Sequence, residues 1–285
     1  MPAVDETIAW RCGTSALTCG ERTLVMGVLN VTPDSFSDGG RYLAASDAIE
    51  RGKRMAGDGA DLLDVGGEST RPGAEPVPEA EEIRRVVPVV EGLASLGLPI
   101  SIDTRKPGVA RAAIAAGASI VNDVSGARDP GMFEVVRGTG AGLVLMHMRG
   151  EPTTMQDAPA YADVVAEVKE YLRERVEAAV FAGVAPEQLA IDPGIGFGKD
   201  LDHNLRLLRN LAAFADLRRP VLVGPSRKRF IGALLDDLPV EERLEGTAGA
   251  VAWLAAIGAD VVRVHDVLEM VRVVRVVDAI ARAAT

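Results

Sequence analysis

Short runs of Val, Ile and Leu recur along the chain, each running into polar, chemically capable residues. Residues 25–29 lead to Asn30, 62–65 to Gly66-Gly67-Glu68-Ser69-Thr70-Arg71, 99–102 to Asp103 and 119–121 to Asn122-Asp123. Further on, 143–146 lead to His147, 189–191 to Asp192 and 221–224 towards Ser226-Arg227-Lys228, while 261–265 carry Arg263 and His265. Runs of this length, rich in Val, Ile and Leu rather than alternating, fit strands buried on both faces, as in a parallel sheet covered by helices. Between them the apolar period changes to three and four residues, in Ile83, Val86, Val87, Val90 and Leu93, in Val164, Val165, Val168, Leu172 and Val176, and in Val267, Met270, Val271, Val274 and Val277. Such stripes predict amphipathic helices laid on a sheet. Weaker helical patterns cover 46–57, 107–116, 130–137 and 202–215, several opening on Ser, Asp or Pro.

Strand and helix alternate about eight times with no low-complexity linker, which predicts an α/β protein built as a single (β/α)8 TIM barrel rather than an open doubly wound sheet. Residues 1–22 form an N-terminal extension, a small hairpin or plug at the far end, and 23–285 form the barrel. In a barrel all the polar strand ends face one bowl, and the Pro- and Gly-rich stretches 32–40 and 66–73 become loops over it.

With 285 residues, 48% of them hydrophobic, the chain can bury a large core. A net charge of −10 argues against a nucleic-acid or anionic-membrane partner. Arg71, Lys228 and Arg263 then stand out as cations suited to a small anionic ligand, although each taken alone also reads as a surface ion-pair residue. The two cysteines, Cys12 and Cys19, are too few for a disulfide framework or a cysteine-only zinc site and read as reduced thiols. No apolar run is long enough to span a bilayer, and the first twenty residues lack the basic start and apolar block of a secretory signal, so a cytoplasmic enzyme is expected.

The strand ends divide into two chemical sets. Asp103, Asn122, Asp192 and Lys228 together offer acceptors and donors to a flat heterocycle. Asn30, Thr70, Arg71, Arg263 and His265 offer arginine forks, an imidazole and amides, which suit a phosphate or diphosphate. Bland readings stand beside these: Asp103 and Asp266 could each cap the helix that follows. His147 fits a pocket lining and His203 a helix surface. The glycines of Gly194-Ile195-Gly196-Phe197-Gly198 lack dinucleotide-fingerprint spacing and read as a flexible turn.

Several strings resemble dihydropteroate synthase, an enzyme family of folate biosynthesis. They are Asn30-Val31-Thr32-Pro33-Asp34-Ser35-Phe36-Ser37-Asp38-Gly39-Gly40, Gly66-Gly67-Glu68-Ser69-Thr70-Arg71-Pro72-Gly73, Ser101-Ile102-Asp103-Thr104, Val121-Asn122-Asp123-Val124-Ser125, Asp192-Pro193-Gly194-Ile195-Gly196-Phe197-Gly198-Lys199, Ser226-Arg227-Lys228 and Arg263-Val264-His265-Asp266. The resemblance runs from about Leu24 to the C-terminus; Pro225 and Arg229 depart from it beside the Ser-Arg-Lys string. It implies a barrel transferase that condenses 4-aminobenzoate with 6-hydroxymethyl-7,8-dihydropterin diphosphate, releasing pyrophosphate with Mg2+. By the same resemblance Asp103, Asn122, Met146, Asp192 and Lys228 bind the pterin. Asn30, Arg71, Arg263 and His265 bind the diphosphate, Asn30 also touching the metal. Phe36, Thr70, Pro72, Phe197, Ser226 and Lys228 form the aminobenzoate pocket, where sulfonamides bind, and Asp38 joins Asp103, Lys228 and Arg263 in the catalytic set. The family further implies a homodimer through the late helices, with Val251, Trp253 and Val273 as candidates. The competing readings are a methyltetrahydrofolate-binding corrinoid methyltransferase and a catalytically inactive pterin-binding paralogue.

Overall fold

The computed structural model describes residues 7–31, 41–69, 75–151, 154–155, 159–281 and 283. An antiparallel hairpin of β1 (Ile8–Cys12) and β2 (Ser15–Cys19) comes first. Eight parallel strands follow: β3 (Leu24–Asn30), β4 (Leu62–Gly66), β5 (Ile100–Asp103), β6 (Ile120–Asp123), β7 (Gly142–Met146), β8 (Leu189–Asp192), β9 (Leu222–Val223) and β10 (Val261–Val264). Neighbours in sequence are neighbours in the sheet, β10 pairs back with β3, and an Ile191 to Val221 bridge joins β8 to the start of β9. The ring is therefore closed, and the expected (β/α)8 barrel is what the chain forms.

The helices are α1 (Arg41–Gly57), α2 (Glu79–Leu93), α3 (Pro107–Ala115), α4 (Gly131–Thr139), α5 (Val164–Phe181), α6 (Leu201–Arg209), α7 (Arg229–Leu234), α8 (Leu244–Ala256) and α9 (Val267–Ala281). Their starts follow local chemistry. Asp163 caps α5 by accepting from the amides of Val165 and Ala166 at 3.0 and 3.1 Å, and Asp200 caps α6 by accepting from His203 N at 2.8 Å. His203 thus serves as part of a cap, with Nδ1 accepting from Asp200 N at 3.3 Å. The sequence places α1 from residue 46, five residues after its actual start, and merges α6 with the separate 3-10 turn at Leu211–Leu217. It gives no separate signal for α7 or α8, because α8 is apolar nearly all round rather than striped.

Strand alternation separates two cores. Outward residues such as Leu63, Val65, Ile102 and Val121 pack under the helices in the main core. Inward residues at the lower end, among them Met26, Leu62, Ile120, Val144, Leu222 and Val261, form a second cluster with Trp10, Cys12 and Cys19 of the hairpin. Trp10 is fully buried there, with its Nε1 donating to Gln188 O at 2.9 Å. The extension is thus a hairpin that stoppers the barrel bottom. Burial pushes both thiols above the ordinary range, so they are held as protonated, unreactive groups. Val251, expected at a subunit contact, is instead fully buried in the main core, and Val273 packs half-buried against that core; Trp253 is the exposed one of the three.

Candidate active site

The hydrogen-bond register of the sheet sets polar strand ends at one level. Asn30 stands opposite Gly66, Gly66 opposite Asp103, and Asp103 opposite Asn122, while Met146 stands opposite Asp192. Because alternate side chains face the same way along a strand, Asp64 and Arg263 join them inside the ring from β4 and β10. Arg263 Nε donates to Asp64 Oδ2 at 2.6 Å and its Nη2 to Asp103 Oδ2 at 2.7 Å. Asn122 Nδ2 donates to Asp64 Oδ2 at 3.1 Å. Four strands are thereby tied across the barrel interior.

The network leaves acceptors over. Asp64 Oδ1, Asp103 Oδ1, Asn122 Oδ1 and Ser101 Oγ are buried with no hydrogen-bond partner among the described residues. An unmatched buried acceptor costs about 1–3 kcal/mol, so several in one place mark a site shaped for a ligand rich in N–H donors. Electrostatics agree. Burial pushes the Asp103 carboxyl up, with Asp64 adding to the push and Arg263 offsetting only part of it. Burial also moves Asp192 up to about 6, against the Gly194 amide and the charges of Lys228, Lys199 and Arg263. Lys228 moves the other way, to about 7, through burial and the neighbouring Arg263. For Arg263, burial opposes the charge, but Asp64 and Asp103 outweigh it and hold the guanidinium above its ordinary value. A cluster of oppositely shifted acids and bases in one cleft is characteristic of a functional site.

A second tier surrounds this floor. The Lys228 ammonium lies 3.8 Å from the centre of the Phe197 ring, a cation-π contact. Arg227, between Ser226 and Lys228, takes a positive φ of 56° and turns back to pair with Asp266 at 2.5 and 2.9 Å, so Asp266 is a partner of the Ser-Arg-Lys turn. Ser226 Oγ accepts from His265 N at 3.2 Å and lies 3.0 Å from His265 Nδ1. Burial, with Arg263 and Arg227 beside it, lowers His265 to about 3, so it meets a ligand as a neutral imidazole. The segment after β8 is packed rather than loose: a Cβ on Gly194 would collide with His147 O, and one on Gly196 would lie 2.8 Å from Lys228 Cδ. Asp192 Oδ1 accepts from Gly194 N at 2.7 Å. The reading of residues 194–198 as a flexible turn is therefore corrected; these glycines allow close approach.

Of the sequence-derived site residues, Asp103, Asn122, Met146, Asp192, Lys228 and Arg263, with Phe197, Ser226 and His265, belong to this connected end of the barrel, and Asn30 stands at its rim. Phe36, Asp38, Thr70, Arg71 and Pro72 lie outside the described residues. Arg263 differs from expectation in being ion-paired with two carboxylates. Asp64 has no role assigned from the sequence, although a charge inside the run Leu62-Leu63-Asp64-Val65 is its signal. Lys199, almost wholly buried beside His147, likewise has no role assigned from the sequence. No group of three or more His, Cys, Asp or Glu suited to a metal occurs among the described residues.

A family model described as pterin binding enzyme matches residues 26–265. Dihydropteroate synthase of Escherichia coli (strain K12) is 50% identical over 256 residues, covering 90% of each chain. The chain belongs to the dihydropteroate synthase family. Solved members superpose closely. Xanthomonas albilineans dihydropteroate synthase with 4-aminobenzoic acid gives a TM-score of 0.91 at 48% identity, covering 98% of this chain and all of that one. Burkholderia cenocepacia dihydropteroate synthase, complexed with 7,8-dihydropteroate, gives 0.88 at 47% identity with 97% of each chain covered. Both figures apply to the whole barrel, so the floor and second tier sit on a scaffold shared with dihydropteroate synthases.

Proposed function

We propose that the barrel mouth condenses 6-hydroxymethyl-7,8-dihydropterin diphosphate with 4-aminobenzoate, giving 7,8-dihydropteroate and pyrophosphate. The observation that carries this reading is the set of unmatched buried acceptors on Asp103 and Asn122 beside the Lys228 donor. A pterin edge presents an amino group and a ring N–H to acceptors, and a carbonyl and ring nitrogen to a donor. Asp103, Asn122 and Asp192 take the first role and Lys228 the second, with Met146 packed along the ring. Arg263 and His265, with Asn30 and Arg71, hold the diphosphate; Phe197, Ser226 and Lys228, with Phe36, Thr70 and Pro72, hold the aminobenzoate, where sulfonamides compete.

In the reaction the bond from the pterin methylene to the diphosphate oxygen breaks, and its electron pair leaves on pyrophosphate. The electron-rich dihydropterin ring supports the methylene cation, helped by the carboxylates around it. The aniline nitrogen then supplies its lone pair to the methylene and releases a proton. An arylamine is a neutral nucleophile at pH 7, so no strong base is needed, in keeping with a neutral His265. Arg263 holds positive charge beside the leaving group from a position fixed by Asp64 and Asp103. Asp38 belongs to the catalytic set by resemblance.

Mg2+ keeps several waters and takes much of its coordination from substrate phosphates, so Asn30 would hold it by its side-chain oxygen at the rim, beside the diphosphate. Bound there, it would supply charge neutralisation for the diphosphate. We also propose a homodimer. Its support is an apolar groove of about 520 Å3 between α6, α7 and α8, lined by Leu205, Leu208, Phe230, Leu234, Ala250 and Trp253. A cytoplasmic place is supported by the buried, unpaired cysteines, and no described helix is long and apolar enough to cross a membrane.

Mixing both substrates with the protein and Mg2+ is expected to release pyrophosphate and form dihydropteroate, with loss of both on chelation. Absence of pyrophosphate with methyl transfer from methyltetrahydrofolate to cobalamin would support the methyltransferase alternative. Pterin binding with no turnover of either kind would support the inactive paralogue.

A further inference from the structure

Lys199 is 2% exposed, lies outside both substrate sets above and is fully engaged. Its ammonium donates to Gly194 O and Phe197 O, both at 2.9 Å, lies 2.9 Å from His147 Nδ1, and is 3.4 Å from His147 O. Burial lowers Lys199 to about 7 against the pull of Asp192; in its ammonium form the three close acceptors match its three protons, which makes His147 an acceptor at Nδ1 and places its own proton on Nε2. The imidazole is fixed from its other sides by rings, edge-on to Tyr171 at 4.9 Å and tilted to Tyr161 at 6.1 Å. Arg149 and Arg128 are the other charges near it, and burial with these cations keeps it neutral. Lys199 therefore joins the end of β7 to two carbonyls of the segment after β8.

Those two carbonyls belong to residues with tasks in the bowl. Gly194 gives its amide to Asp192, and Phe197 carries the ring under Lys228. The Lys199 backbone is secured in turn, its carbonyl lying 3.4 Å from Asn204 Nδ2, while Asn204 Oδ1 accepts from Gly196 N at 2.7 Å. Holding a cation here, with no carboxylate in its hydrogen-bond shell, is costly and is offset only by its hydrogen bonds to these acceptors.

We propose that Lys199 is a positioning residue for the aminobenzoate half of the site, holding the 194–197 segment against His147 so that the Phe197 ring is fixed beneath the Lys228 ammonium. The inference rests on the reading of Phe197 as an aminobenzoate contact. Lys199→Met keeps the length of the side chain and removes its donors. It is expected to raise KM for 4-aminobenzoate about tenfold, the scale of losing hydrogen bonds to a charged group, with a smaller change in the affinity for free pterin. If Lys199 acts through Phe197, this effect disappears in a Phe197→Ala background, where the ring to be placed is absent. A merely structural lysine would give the same loss in both backgrounds.

An unchanged KM in Lys199→Met, or equal losses with and without Phe197, overturns the inference. A Phe197→Ala protein that binds aminobenzoate as well as the parent overturns the site reading and the inference with it. A weakened Phe197→Ala beside an unaffected Lys199→Met overturns the inference alone. Should Lys199→Met fail to fold, the parent protein decides by nitrogen NMR at pH 6, where Lys199 is an ammonium and His147 still neutral. In the imidazole region only His147, His203 and His265 contribute signals, and His203→Gln and His265→Gln assign them. His147 protonated on Nε2, with Nδ1 accepting, supports the inference; a proton on Nδ1 overturns it.

Discussion

Asp192 is the residue at which pH acts most simply. Its carboxyl rises from an ordinary 3.8 to about 6, mainly through burial, so between those values the folded chain keeps a proton that the unfolded chain has released. Stability from this group therefore falls as pH rises from about 4 to 6. Ligand binding runs the opposite way, since a pterin N–H needs an ionised acceptor: affinity for free pterin is expected to increase as pH rises through about 6, and Asp192→Asn should flatten that increase in a calorimetric titration. Arg263 behaves differently because it has two jobs. Arg263→Ala strands Asp64 and Asp103 in the interior and is expected to lower unfolding free energy by about 3 kcal/mol in denaturant melts. It should also weaken the diphosphate substrate more than free pterin, by about 1.5–3 kcal/mol in binding. Equal losses for the two ligands would show that the cation only braces the carboxylates.

Among the elements, the hairpin and the β8 segment separate stability from catalysis. Trp10→Ala opens a hole in the lower cluster and is expected to cost about 3–5 kcal/mol of stability, read in a thermal melt, with kcat preserved below the melting range. Gly194→Ala should do the reverse in kind: its added methyl meets His147 O, displaces the amide from Asp192, and should abolish pterin binding in calorimetry. The barrel was legible in the sequence because each strand is an apolar run closed by a polar residue, and α2, α5 and α9 have clean stripes. The short α7 and the all-apolar α8 have no such stripe, and the bounds of α1 and α6 are set by packing rather than by composition. The site was legible to the same degree. Asp103, Asn122 and Asp192 end their strands, whereas Asp64 sits one inward position below an end and Lys199 beyond one. Their roles follow from distances across the ring, between residues far apart in sequence, which one-dimensional spacing does not encode.

For the whole molecule, the exposed Trp253 and the groove beside it are the test of assembly. On the proposed dimer, Trp253→Glu is expected to give monomer in analytical ultracentrifugation, and a dimer that survives it would remove this face from consideration. The apolar plug under the barrel closes that end to substrates. With Trp10 corking the lower end, the cavity is a blind well, and traffic shares its upper rim. On the proposed assignment the heterocycle takes the deep berth at the strand ends, with Asp103 and Asn122, while Phe197 and Ser226, in the segments that follow β8 and β9, line the shallower one. A guest in the shallow berth bars passage to the deep one, so arrival should be sequential, pterin diphosphate preceding aminobenzoate.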